Sequence, residues 1–384
     1  TPLTHGNFIK AEALDRHPMK LPCVNGVVDL ETGGFHDGNP DDYLMRHVPT
    51  EFKGIDEPRP AWEKFIREIH LEDNEMLEFV QTILGYGIAG LRKNHFLAVF
   101  TGDGRNGKGT MFETLRTILG PLSWSIESEM LLEQRFAKPS GGASADIAAL
   151  QGRRMVFSSE IDENRKVSLK AIKKLTGGDT LTARAPHDKH EVNFVPTHTI
   201  FWIMNSLARG LAADFAMLSR LYVVDYPLCF VDDPAAWSQK EPQKAELYRK
   251  IDRDLPEKLA AEASGILAWL VEGCLRYMRD GIKVPEKVRD RAEEVRFNED
   301  YLARFMKDHD DVFEFHPEAR MPFKDFYEMF AEWYEETISS SDRYRPTKQT
   351  IGKELDKGYP IERKKVGGDV KILGLRRTGF GHDA

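Results

Sequence analysis

The residues with the most evident chemistry sit in one glycine-dense loop. His95-Phe96-Leu97-Ala98-Val99-Phe100 has the apolar character of a strand. Gly102, Asp103, Gly104, Arg105, Asn106, Gly107, Lys108, Gly109 and Thr110 follow, and then Phe112, Leu115 and Ile118 recur at helical spacing. Gly102 and Gly107-Lys108 stand at the Gly-x-x-x-x-Gly-Lys spacing of a phosphate-binding loop. Such a loop turns backbone N–H groups toward phosphate oxygens where side chains would block the approach. The following helix N-terminus adds partial positive charge, and the Lys108 ammonium is placed for the β- and γ-phosphates. ATP and Mg²⁺ are the cofactors this predicts. Gly109 stands where a hydroxyl residue usually follows the lysine, which leaves Thr110 as the hydroxyl for Mg²⁺. Nucleotide kinases share the Lys-Gly-Thr order, so a kinase is one alternative reading.

Hydrolysis needs an acid at the end of a neighbouring strand. The run from Arg154 to Asp162 reads as a buried strand ending in Glu160 and Asp162. One of the two would hold Mg²⁺ through water and the other would polarise the attacking water. Glu160, at the strand end, is the favoured metal-side residue, and which acid does which stays open. Asn205 ends the next apolar run, 199–204, as a candidate sensor of the γ-phosphate. Arg220 follows a short helical stretch (212–218) and precedes the strand 221–226, a position suited to an arginine finger. Arg209 is its rival, and a structural salt bridge is the plain alternative. Lys189 and His190 fall at the tip of a predicted hairpin between strand-like runs 180–185 and 191–195. A cation and a ring there can grip phosphate and lean on a base. His187, His190 and His198 have neither cysteines nor placed carboxylates around them, so no metal site is expected from them.

Stepping outward, residues 20–55 read as short strands and turns, with a hairpin signal at Asn25-Gly26 and a turn at Thr32-Gly33-Gly34. Two helices follow: Trp62, Phe65, Ile66 and Ile69 share one face, as do Met76, Leu77, Val80, Ile83 and Leu84. Beyond the loop, strands alternate with helices, which predicts an α/β domain with a mainly parallel sheet. Residues 138–144 (Lys-Pro-Ser-Gly-Gly-Ala-Ser) read as a soft loop. Residues 168–175 have helix character, with Lys170, Lys173 and Lys174 on them. Helical patterns return at 244–280, 286–308, 323–338 and 347–357, and 361–375 alternates like a hairpin around Gly367-Gly368. Three helices and a β-ribbon in that order predict a winged helix.

With 384 residues, 41% hydrophobic and 30% charged, the chain has room for two or three globular domains. Its apolar runs are far below the ~18 residues of a membrane span. Cys23, Cys229 and Cys274 are scattered, which suggests neither a disulfide framework nor a zinc site, and a reducing cytoplasm is the expected location. The formal charge of -8 argues against non-specific nucleic-acid affinity over the whole surface. Over 343–377, however, basic residues outnumber acids, with Lys348, Lys364 and Lys365 among them. The chain opens on Thr1 rather than Met, as a piece of a longer protein would.

In order, these residues resemble superfamily 3 helicases of the phage/plasmid primase–helicase branch, relatives of the poxvirus-type primase–helicases. The resemblance is carried by Gly102 to Lys108 with Asn before Gly-Lys, and by Arg154-Met155-Val156-Phe157-Ser158-Ser159-Glu160. It continues in Leu175-Thr176-Gly177-Gly178-Asp179-Thr180 followed by Ala183-Arg184, in the strand ending at Asn205, and in Ser219-Arg220-Leu221. Asn25-Gly26-Val27-Val28-Asp29-Leu30 is similar to the segment before the family's ATPase.

The resemblance implies an AAA+-like P-loop ATPase, an ATP hydrolase and DNA helicase working as a ring, usually a hexamer, and tracking 3′ to 5′ on single-stranded DNA during replication. Lys108, Thr110, Glu160 and Asn205 would act in cis and Arg220 in trans. Lys189 and His190 would lie in the pore hairpin, with Lys173, Lys174 and Arg184 as weaker pore or interface residues. It further implies forked-DNA contacts through the winged helix, an upstream primase domain or protein as partner, and the cytoplasm of a bacterial host. The expected division is an N-terminal module suited to an oligomerisation collar (1–90), the ATPase core (91–230), a helical region (231–300) and the winged helix (301–384). An origin-binding initiator ATPase without processive unwinding is the other alternative.

Overall fold

The structure is a computed structural model, and it describes residues 14–134, 144–158, 165–184, 191–208, 210–212, 215–338 and 345–378. It forms two compact units, Thr1–Ala292 and Glu293–Ala384.

In the first unit, β1 (Lys20–Cys23), β2 (Gly26–Asp29) and β3 (Phe35–His36) make a small antiparallel sheet in that order. Asn25 in the first turn exchanges two hydrogen bonds with the backbone of Phe52, at 2.9 and 3.0 Å. Helix α1 (Pro60–Ile69) begins on a proline, whose fixed φ suits the first helical position. It buries Trp62, Phe65, Ile66 and Ile69, as their spacing predicts. Helix α2 (Asn74–Ala89) is capped by the Asp73 carboxylate, which accepts from the N–H groups of Glu75 and Met76.

The chain then alternates through β4 (Leu97–Thr101), α3 (Lys108–Leu119), β5 (Ser123–Ile126), α4 (Ala145–Ala148), β6 (Met155–Ser158) and α5 (Leu169–Thr176). It continues with β7 (Leu181–Ala183), β8 (Val192–Phe194), β9 (Thr199–Met204), α6 (Phe215–Leu218) and β10 (Leu221–Asp225). Five of these strands form one parallel sheet, ordered β10-β4-β9-β6-β5. The apolar runs announce four of them. The edge strand β5 has no such run: only Ser123 and Ile126 point inward, while exposed Trp124 lies under the Arg153 guanidinium at 4.1 Å. β7 and β8 pair antiparallel, Leu181 opposite Phe194.

After the sheet come β11 (Cys229–Val231), α7 (Pro234–Lys240) and β12 (Tyr248–Lys250), with β11 and β12 paired in parallel. Helices α8 (Leu255–Ala261), α9 (Ala263–Asp280) and α10 (Glu286–Glu299) follow. The second half of α2 is buried all round because α9 lies against it. A Cβ on Gly85 would stand 2.2 Å from the Gly273 carbonyl carbon, so the two backbones approach more closely than side chains allow. The small sheet, the helices and the parallel sheet share one continuous apolar core, in which Trp62 meets Trp269 edge to face at 5.3 Å.

The second unit contains α11 (Tyr301–Asp308), β13 (Phe313–Pro322), α12 (Phe323–Thr337), α13 (Lys348–Gly358), β14 (Glu362–Val366) and β15 (Asp369–Arg377). Its antiparallel sheet has the order β13-β15-β14. Phe305 is at the centre of its core, against Phe313, Phe326, Phe330 and Trp333. The single helix expected over 286–308 is two, because the Asp300 carboxylate accepts from the Ala303 N–H at 2.9 Å and starts a new one. Strand β13 has no sequence signal: a register shift between Phe315 and Arg320 breaks its alternation. Among the described residues no helix is long and apolar enough to cross a membrane.

Candidate nucleotide site at the glycine-rich loop

The strands of the central sheet all run in one direction, so their C-terminal ends form one edge, the place where open α/β sheets take ligands. The glycine-rich loop leaves β4 at this edge and enters α3. Gly102 has φ 142° and Gly107 φ 87°, both left-handed values that favour glycine. A Cβ on Gly102 would stand 2.3 Å from the Tyr226 carbonyl oxygen, so the loop is pressed onto the chain leaving β10. Gly104 and Gly109 face open space. Gly107 supplies no side-chain cap to α3, which leaves the positive end of the helix dipole directed at the loop.

Asn106 holds the loop together from inside. It is buried, and its amide group donates to the carbonyls of Asp103 and Tyr226, while its Oδ1 accepts from the Lys108 N–H at 3.3 Å. The Lys108 ammonium donates to the Gly102 carbonyl at 2.5 Å. Arg105, at φ 65°, offers its carbonyl to the Phe230 N–H at 2.7 Å, which ties the loop to β11.

Tyr226 continues the support downward. Its N–H donates to the Thr101 carbonyl at 2.8 Å, and its hydroxyl lies 3.0 Å from His70 Nε2. His70 Nδ1 is 2.8 Å from the Ile66 carbonyl, which can only accept; Nδ1 therefore carries the proton and Nε2 accepts from Tyr226. Burial pushes the His70 imidazole down to about 4 and the Tyr226 phenol well above its usual value. The imidazole is therefore neutral at pH 7.

Asn205 follows the last residue of β9 at the same edge, and its carbonyl accepts from the Thr101 hydroxyl at 3.2 Å. Thr110 is half-buried in the first turn of α3. Arg220 directly precedes β10, so it lies at the opposite edge of the sheet, where its carbonyl accepts from the Leu97 N–H at 2.8 Å. Strand β6 reaches the loop edge at Ser158, but Glu160 and Asp162 lie outside the described residues, as do Arg209, Lys189, His190 and the soft stretch up to Ala143. Lys348, Lys364 and Lys365 are exposed in the second unit. His198 is a core histidine: its Nε2 lies 3.1 Å from the Leu175 carbonyl, and burial pushes it down to about 4.

Sequence reasoning placed Asn106 among phosphate-contacting residues and gave no role to His70, Tyr226 or Arg154. Arg154 is buried, and its guanidinium donates to the carbonyls of Pro18, Ile88 and Lys20, clamping the N-terminal segment and α2 onto β6. Desolvation lowers its pKa to about 10. A charge opening an apolar strand is the one signal that singles it out.

The loop, the sheet order and the edge define an α/β protein whose candidate ligand site lies at the C-terminal ends of parallel strands. Comparison with known proteins narrows this. Residues 8–71 match the family described as D5 N terminal like. "Putative helicase L207/L206" of Acanthamoeba polyphaga mimivirus is 29% identical over 85% of this chain and 34% of its own length. "Putative helicase 184R" of Invertebrate iridescent virus 6 is 23% identical over 86% of this chain and 36% of its own. "Uncoating factor OPG117" of Vaccinia virus (strain Western Reserve) is 29% identical over 64% and 32%. The chain thus spans about a third of the length of these relatives. Among solved structures, the apo A form of the NrS-1 C terminal region has the same fold, with a TM-score of 0.50 at 13% identity, covering 94% of this chain and 82% of that one. Over residues 8–71 the chain is thus similar to the D5 N terminal like family, and over most of its length to putative helicases of large DNA viruses, in line with the resemblance its motifs carry.

Proposed function

We propose that this chain is the ATP-driven motor part of a DNA helicase that acts during replication, assembled as a ring of copies on single-stranded DNA. The observation that carries the reading is the loop itself: a left-handed Gly102 and Gly107, the N-terminus of α3, whose N-cap residue Gly107 brings no side chain, and the Lys108 ammonium converge at the end of β4. The loop fits a triphosphate because Gly104 and Gly109 face open space and Asn106 already fixes its shape. Residues 102–110 hold the phosphates, and Lys108 exchanges its contact with the Gly102 carbonyl for phosphate oxygens. Thr110 and Glu160 hold Mg²⁺, which when bound neutralises charge on the phosphate oxygens. Glu160 and Asp162 share the positioning and activation of water. Asn205, on the same edge, orients the γ-phosphate or the water, and Arg220 serves the neighbouring copy.

In this reading Lys189 and His190 are the residues that grip the DNA strand. The second unit acts as a winged helix; its order of helix, strand, two helices and hairpin supports this, and exposed Lys348, Lys364 and Lys365 give it phosphate contacts on forked DNA. A primase domain or protein is its replication partner. The functional division of this reading is 1–90, 91–230, 231–300 and 301–384, laid over the two compact units Thr1–Ala292 and Glu293–Ala384.

Phosphate release from ATP, measured with and without single-stranded DNA, tests the reading. DNA should stimulate release, Lys108→Ala and Arg220→Ala should each abolish it, and mixing the two variants should restore part of it. Turnover that ignores DNA, or wild-type turnover in Lys108→Ala, refutes the proposal. No recovery in rings shown to be mixed removes the trans role of Arg220.

A further inference from the structure

Beside the glycine-rich loop lies a cleft of about 510 Å³, within the range of small-molecule sites. Gly102 and Asp103 are among the residues that line it, so it adjoins the loop. The segment after the sheet, with α7, β12 and the turn between them, supplies further lining. Trp237 and Tyr248 line the cleft with ring centroids 5.8 Å apart, and Leu228 adds apolar surface. Tyr248 is buried, while Trp237 is half-buried with the Lys240 ammonium 5.3 Å over its ring. Glu241 also lines the cleft; the Lys244 ammonium holds its carboxylate at 3.4 Å. A carboxylate offers about four lone-pair sites, so this one keeps capacity to accept further hydrogen bonds.

We propose that this cleft holds the base of the nucleotide, an amino-bearing purine, with Trp237 and Tyr248 as the aromatic wall and the Glu241 carboxylate as acceptor for the amino group. The inference rests on the reading that the loop takes the triphosphate. An aromatic wall recognises a flat π-system without regard to its edge. The carboxylate, already met by the Lys244 ammonium and the Tyr248 hydroxyl, takes only donors on its remaining lone pairs, and so adds edge selection for an amino group. Shared residues Gly102 and Asp103 let one ligand span both places.

Calorimetric titration of the full chain with ATP, inorganic tripolyphosphate and purine riboside triphosphate, which lacks the amino group, separates the two levels. Trp237→Ala should weaken ATP roughly five- to hundred-fold and leave tripolyphosphate unchanged. Trp237→Phe, which keeps a ring, should restore most of the ATP affinity. Glu241→Ala should weaken ATP and spare purine riboside triphosphate. Lys108→Ala should weaken all three ligands. Unchanged tripolyphosphate binding also reports that each variant is folded. Equal affinity of wild type and Trp237→Ala for ATP, or of wild type for ATP and tripolyphosphate, overturns the base pocket and leaves the phosphate loop standing. Equal effects of Glu241→Ala on both nucleotides overturn the amino contact. Failure of all three ligands to bind the wild type overturns the phosphate-loop reading and the pocket with it.

Discussion

Protonating His70 should loosen the ground beneath the glycine-rich loop, and the size of the effect follows from its surroundings. The imidazole is enclosed between α1 and Tyr226, with Nδ1 donating to the Ile66 carbonyl and Nε2 accepting from the Tyr226 hydroxyl. Burial is the largest influence and lowers its pKa to about 4, while the Ile66 carbonyl and the Asp73 carboxylate pull weakly the other way. In the unfolded chain the group titrates near 6.5. Between these values the folded state binds fewer protons than the unfolded one, so stability rises with pH. The contribution is complete above about pH 6.5 and is lost as pH falls toward 4. One pKa unit corresponds to about 1.4 kcal/mol, so going from pH 6.5 to 4.5 costs about 2 kcal/mol through this one group. His198, also buried and also lowered to about 4, adds a similar amount.

Guanidinium unfolding at pH 6.5, 5.5 and 4.5 measures this. His70→Gln keeps an amide donor and acceptor and cannot charge, so its loss of stability over the range should be smaller than wild type by about 2 kcal/mol. Adding His198→Gln should reduce it by about as much again. Carboxylates also titrate in this window, but they are common to all the proteins and cancel in the difference. An unchanged pH dependence in His70→Gln refutes the assignment of a buried neutral imidazole.

Two further outcomes follow from the loop and from the second unit. Asn106→Ala removes the links to Asp103, Tyr226 and Lys108 at once, and should cost about 1–3 kcal/mol in thermal or chemical unfolding and weaken ATP binding; unchanged stability and affinity would show the loop holds its shape without it. Replacing Lys364 and Lys365 together with alanine should weaken forked-DNA binding about equally for all sequences and lower the salt slope by about two; an unchanged slope removes the hairpin from the DNA contact.

Much of this molecule is legible in its sequence because its informative elements are buried on one or both sides. The strands β4, β6, β9 and β10 are apolar runs, and α1 shows its buried stripe at helical spacing. The hairpin signalled by Asn25-Gly26 is present, but its loop is Val24-Asn25 and Gly26 already pairs with Cys23. Elements at edges leave no such trace. β5 buries only its two ends, and β13 shifts register midway. The pair β11 and β12 spans three residues each, too few for a period to show. The same logic divides the candidate site. Glycine and lysine spacing marks a loop that must wrap a phosphate, whereas the Tyr226–His70 support joins residues distant in sequence and the Trp237–Tyr248 wall joins a short helix to a three-residue strand that has no period of its own. Their partners meet only through folding, and no spacing rule connects them.

The strand directions also bear on how many chains one nucleotide needs. β10 runs parallel to β4, with Leu221 opposite Leu97 and Asp225 opposite Thr101. Arg220 is therefore beside the beginning of β4 and the glycine-rich loop beside its end, five residues away, or about 16 Å at a strand's rise. A guanidinium at that position cannot serve the loop of its own chain without crossing the face of the sheet. Asn205 has the opposite placement: it is one residue past Met204, which pairs with Thr101, and its carbonyl already receives the Thr101 hydroxyl. If Arg220 meets a γ-phosphate, the phosphate belongs to another copy whose loop edge faces this chain's other edge. Finger and ring are then a single geometric claim. A heterologous contact of that kind, repeated, closes into a ring or runs on as a filament, and recovery of turnover on mixing loop and finger variants reads the contact itself.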